Sequence, residues 1–312
     1  MESNKEKNFI SAVVYCSNDE KYIGKFIRGL NETLKANFIK YEIIVVNDAS
    51  TDHSINIVRD YVKKVNADGN ELTVSVLNMS YYQGLESSMN AGVNLSIGDF
   101  VYEFDSVYVD YDCDMLMKVY RHSLMGYDIV SAKINGKPRF TSRVFYRLFN
   151  RYANLQHKIG METFRILSRR AINRIHSITQ TIPFRKAAYA NCGLAVNTLS
   201  YKPVGPVLRK HYGDRKSVAI DSLILFTDVA FRATVYLAIL MFVIALAVGV
   251  YAVIYKILEN PVEGWTATTT FLSFGFAGLF AILAMIIKYL QTIVNMIFRK
   301  KNFLFESIEK LQ

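Results

Sequence analysis

Apolar and polar residues come in alternating blocks along the first 130 residues. Residues 9–16 (FISAVVYC) are apolar and β-branched, the pattern of a buried strand. Residues 19–37 carry Ile23, Phe26, Ile27, Leu30 and Leu34 at the spacing of one helix face. Residues 41–46 (YEIIVV) predict a second strand, and residues 47–52 a turn that can cap a helix running to about Asn66. Residues 72–77 predict a third strand. Residues 85–95 predict a helix, closed by Gly98 before a fourth strand at residues 100–104. Strand and helix alternating at this spacing predict a parallel sheet with helices on both faces. Such sheets bind ligands at the carboxyl ends of their strands. Ser17-Asn18-Asp19-Glu20, Asn47-Asp48 and Asp105 fall there.

The pattern changes near residue 235. Residues 235–255 are uncharged and mostly aliphatic; as a helix they would span roughly 31 Å, enough for a bilayer core. A second uncharged run covers residues 266–287, and the short segment KILENPVEGW separates the two. The pair predicts a transmembrane hairpin. Arg299, Lys300 and Lys301 follow it, whereas the connecting loop has only Lys256, so the positive-inside rule places both chain ends in the cytoplasm. Tyr251, Tyr255 and Trp265 suit an interfacial belt. Residues 221–233 have the spacing of an interfacial amphipathic helix or, nearly as well, of a helix covering the soluble domain. Gly275 and Gly278 would permit close helix approach.

Composition narrows the function classes. With 51% hydrophobic and 21% charged residues, the chain is neither disordered nor a polytopic transporter. Its three cysteines, Cys16, Cys113 and Cys192, form no C-x-x-C pair and no disulfide framework. The net charge of +10 suits anionic lipids or phosphate-bearing substrates. No nucleic-acid-binding motif accompanies it. The first strand is not followed by G-x-G-x-x-G, and there is no Walker loop, so dinucleotide and P-loop chemistry lose their support. The five histidines show no metal spacing. Asp110, Asp112 and Asp114 read as a solvated helix start rather than a metal site.

SAVVYCSNDE, EIIVVNDASTD, QGLESSMNAG and GDFVYEFDS, in that order, resemble the nucleotide-sugar-binding domain of a family 2 glycosyltransferase, with the GT-A, Rossmann-like α/β fold. With the hairpin, FRILSRRAI and LRKHYGDRKS, the chain resembles the polyprenyl-phosphate glycosyltransferases related to dolichyl-phosphate mannose synthase. The resemblance implies a catalytic domain over residues 1–220 and an interfacial helix over 221–233. It then implies a membrane hairpin over 234–290 and a basic cytoplasmic tail over 291–312, in the cell inner membrane. It implies transfer from a UDP- or GDP-linked sugar to a polyprenyl phosphate, for envelope glycan synthesis, assisted by Mg2+ or Mn2+. By the same resemblance Asp19, Asn47, Asp48 and Asp105 contact the nucleotide sugar. Asp105 holds the metal and serves catalysis with Arg165, and Arg165, Arg209 and Lys216 receive the lipid phosphate. Anionic lipids are implied as partners, and a homo-oligomer through the membrane helices is compatible with it. The chain departs from the family pattern in several places. Tyr15 and Ser17 replace proline and tyrosine, Ala49 replaces glycine, and the D-x-D motif reads Asp105-Ser106-Val107. The last departure makes a non-catalytic membrane subunit the alternative expectation.

Overall fold

The computed structural model describes residues 5–136, 140–153, 155–178, 184–204, 264–298 and 303–312, together with parts of 236–247. The first four strands lie where the pattern predicts: β1 (Ile10–Cys16), β2 (Tyr41–Asn47), β3 (Val74–Met79) and β4 (Phe100–Phe104). The helices between them are α1 (Glu20–Asn37), α2 (Ser54–Ala67) and α3 (Gly84–Leu95). Then come α4 (Asp114–Ser123), β5 (Ile129–Ile134), α5 (Phe140–Tyr152) and β6 (Glu162–Ser168). α6 (Arg169–Ile178), α7 (Arg185–Ala190) and β7 (Val196–Tyr201) follow.

One eight-stranded sheet has the order β7-β5-β6-β4-β1-β2-β3-β8, where β8 is Phe305–Leu311. Pairing is parallel among β1 to β4, as expected, and antiparallel where β6 meets β4 and β5 and where β8 meets β3. The sheet is therefore mixed, not wholly parallel. Every residue of β1 is buried because helices cover both faces of the sheet centre. On one face Ile23, Phe26, Val58 and Leu116 pack against Val14, Val45 and Phe104. On the other, Met89, Ala171 and Tyr189 pack against Val13, Ile44 and Leu167. Each fully buried aliphatic or aromatic side chain contributes about 1.5–3 kcal/mol, so this central stack is what holds the strand ends in register.

The end of the expected basic tail is a strand. β8 pairs with β3 from Val74↔Leu311 to Met79↔Phe305, and Glu309 accepts two hydrogen bonds from Arg59 Nη2 on α2, at 2.8 and 3.0 Å. An open edge on β3 and an alternating FESIEKL segment explain the pairing better than charge does.

The chain divides into two compact units, one of residues 1–150, 155–218 and 300–312, the other of 151–154 and 219–299. In the second unit, α8 (Trp265–Phe298) is an unbroken helix of 34 residues that contains the second apolar run. Gly278 on α8 lets Met241 of the first run approach: a methyl there would lie 2.6 Å from Met241 Cε. Among the described residues no comparable neighbour stands within 4 Å of Gly275. Side chains are described along only part of α8, and among the described residues no helix is long and apolar enough to cross a membrane. The interfacial segment expected at residues 221–233 lies outside the described residues.

Candidate active site

The carboxyl ends of β1, β2 and β4 stand side by side in the sheet, through the pairs Cys16↔Asn47 and Val14↔Phe104. This brings Asp19, Asn47, Asp48 and Asp105 to one edge. The loops there are locked together. Asn18, in the left-handed region at φ 53°, accepts from Thr51 N at 2.8 Å through its Oδ1. Asp19 Oδ2 accepts from Ser17 N at 3.0 Å, and Asp19 N donates to Ser54 Oγ at 2.7 Å. Ala49 is left-handed at φ 50°, the conformation that the glycine of the family pattern would adopt without strain.

Asp48 is fully buried. Its carboxylate accepts from Tyr15 Oη at 2.8 Å and from the N–H groups of Gln83 and Gly84 at 2.7 and 2.9 Å. It thereby caps the start of α3, where Gly84 supplies a φ of 81°. Tyr15, at the position of the family's proline, is one of its three donors. Asn47 donates to Asn78 Oδ1 at 2.8 Å and accepts from Ser50 N at 3.0 Å.

Asp105 sits in a buried layer of charge between the sheet and α7. Arg165 on β6 reaches Glu103 Oε2 at 2.7 Å, Asp105 Oδ2 at 2.9 Å and Glu162 Oε2 at 3.3 Å. Arg185 on α7 reaches Glu86 Oε2 at 3.0 Å, Glu103 Oε2 at 3.0 Å and Asp105 Oδ1 at 2.8 Å. Tyr189, one turn on, donates to Glu103 Oε1 at 2.6 Å. Both arginine side chains are 1% exposed, Glu103 0% and Asp105 14%. Burial works against the Asp105 carboxylate, but the Arg165 and Arg185 guanidiniums outweigh it and hold its carboxyl well below the usual range. Burial and the adjacent Glu103 push the Tyr189 phenol well up, so it remains a donor. Burial, with Asp19 nearby, pushes the Cys16 thiol up to about 12, which removes it as a nucleophile.

Several expectations therefore meet a specific geometry. Arg165 was expected to receive a lipid phosphate, yet its guanidinium faces three carboxylates in the interior. Asp105 was expected to hold a metal, yet each of its oxygens lies on an arginine, and Val107 at the second acidic position of D-x-D is buried. The donor set does not fit a divalent ion. Among the described residues no three histidine, cysteine or acidic side chains are grouped to hold one. Asp112 Oδ1 accepts from Asp114 N at 3.4 Å at the start of α4, as the pattern suggested, whereas Asp110 is buried rather than solvated and accepts from Tyr201 Oη on β7 at 2.6 Å. Arg209 and Lys216 lie outside the described residues.

Glu86, Glu103, Arg185 and Tyr189 escaped the sequence reading. A glutamate inside the apolar strand FVYEF was the one available signal, since a buried acid demands a cation. Beside the charged layer lies a cavity of about 240 Å³ bordered by Ser131, His157, Glu162, Lys186 and Tyr189. It does not touch Asp19, Asp48 or Asp105, and it is smaller than the usual ligand site of roughly 300–1,000 Å³.

The chain is similar to known proteins in sequence and in fold. The chain is 23% identical over 268 residues to an uncharacterized glycosyltransferase of Synechocystis sp., covering 83% of this chain and 82% of that protein. It is 24% identical over 271 residues to the bactoprenol glucosyl transferase of Shigella phage SfX, covering 82% and 85%. Among solved structures, the fold is similar to that of a mannosyltransferase from Pyrobaculum calidifontis, determined in complex with GDP-Man and Mn2+. The TM-score is 0.52, at 15% identity, over 91% of this chain and 88% of that one. The family model described as glycosyl transferase family 2 matches residues 11–176, the segment that carries β1 to β6 and the strand-end acids, and the chain belongs to that family of transferases.

Proposed function

We propose that the chain transfers a sugar from a nucleoside diphosphate sugar to a polyprenyl phosphate at the cytoplasmic face of the cell membrane. The observation that carries this reading is the extent of the likeness to bactoprenol glucosyl transferases. It spans 82% of the chain, and so runs past the matched family domain at residue 176. The strand-end edge bearing Asp19, Asn47 and Asp48 is the donor side, where nucleotides bind in open α/β sheets. A phosphate acceptor is already ionised near neutral pH, so the attack on the anomeric carbon needs no strong general base. That fits a site whose acids are committed to ion pairs and caps. Cationic side chains of the segment around Arg209 and Lys216 are the candidates to receive the acceptor phosphate, arginine bidentately and lysine as a point charge.

Membrane attachment belongs to the same proposal. The two apolar runs have bilayer length, and described side chains of α8 such as Phe276, Phe280 and Ile287 are exposed. The test is an assay of the detergent-purified full chain with UDP-glucose or GDP-mannose and undecaprenyl phosphate, read by product mass. A lipid product heavier by one hexose is expected with one donor. Donor binding without any lipid product would overturn the acceptor assignment.

A further inference from the structure

We propose that Arg185 is the resident cation of this site, occupying Asp105 in place of a divalent metal, so that nucleotide binding requires no metal. This rests on the donor reading above. Three carboxylates surround the one guanidinium: Glu86 in the first turn of α3, Glu103 on β4 and Asp105 just past its end, at 3.0, 3.0 and 2.8 Å. The three acids converge on the guanidinium and, among the described residues, are not grouped to hold a metal ion. Here the cation is covalently part of α7.

Two further features make the replacement hard to reverse. The second oxygen of Asp105 is held by Arg165, so an entering ion would have to displace both arginines. Each displaced guanidinium would lose one of its three buried counter-ions, a cost in this interior. The chain also lacks the partner acid, because position 107 is a buried valine.

Arg185 Nη1 lies 3.0 Å from Glu103 Oε2 but out of line for a hydrogen bond, so charge rather than a directed bond holds this pair.

The test uses the full chain in detergent and two titrations. In the first, UDP and GDP are titrated by calorimetry with Mn2+ and again with EDTA. The expected result is one nucleotide binding with a Kd that agrees between the two buffers within about threefold. Weakening by roughly tenfold or more in EDTA overturns the proposal. In the second, Mn2+ is titrated into nucleotide-free protein. Wild type and Arg185→Lys, which keeps a cation in place, are expected to show no site that Asp105→Asn removes, and such a site in wild type overturns the proposal. Arg185→Ala is expected to be stabilised selectively by millimolar guanidinium, read as a rise in melting temperature absent from wild type. If Arg185→Ala does not fold, the wild-type and Arg185→Lys titrations decide. If neither nucleotide binds in either buffer, the donor reading fails, and the Mn2+ titration still decides the role of Arg185.

Discussion

Glu103 is a carboxylate at 0% exposure in the middle of the sheet, and it is tolerable only because Arg165, Arg185 and Tyr189 all bind it. Removing one partner leaves the others charged and dry. Arg165→Met therefore is expected to destabilise the chain by about 3–5 kcal/mol, measured by urea unfolding. The same pairs set an acid limit. The folded-state pKa of Asp105 is depressed, so its stabilisation is complete above the ordinary carboxylate value of about 3.9 and is lost as the pH falls below that value. Unfolding free energies of wild type measured from pH 6 down to pH 3 should fall, and those of Arg165→Met should fall less steeply. Arg165 was legible in the sequence through the family resemblance of FRILSRRAI; Arg185 was not, because RKAAYA has the look of any short polar helix.

At the scale of the elements, period and composition located β1, β2 and β4 and the helices α1 to α3 to within a few residues. Their apolar positions repeat with one dominant period each. β8 was read as part of a tail because its polar alternation resembles a charged coil, and its identity depends on the unpaired edge of β3, far away in sequence. A chain ending at residue 302 should lose that edge strand and expose β3. A lower melting temperature and a higher apparent mass by light scattering are the expected outcome. Glu309→Gln, which removes only the pair with Arg59, should cost less than about 1 kcal/mol, because both side chains are more than a third exposed. A melting temperature unchanged by the truncation would mean that β8 adds nothing to the sheet.

At the scale of the molecule, the family 2 domain is followed along the chain by two apolar runs. If those runs cross a bilayer, the expressed chain sediments with membranes and stays there after an alkaline carbonate wash, leaving only on addition of detergent. Release by carbonate alone would reduce the hairpin to a surface association. The sequence by itself determined the strand–helix alternation, the acids at the strand ends, the family and the placement of the apolar runs. All of these are carried by local period, by short ordered motifs or by run length. Tertiary structure alone decided the mixed direction of the sheet, the closing of its edge by β8 and the fate of Asp105. Whether a carboxylate meets a metal or a guanidinium depends on which distant side chain reaches it first. Arg185 stands eighty residues from Asp105 in the chain and 2.8 Å from it in the fold.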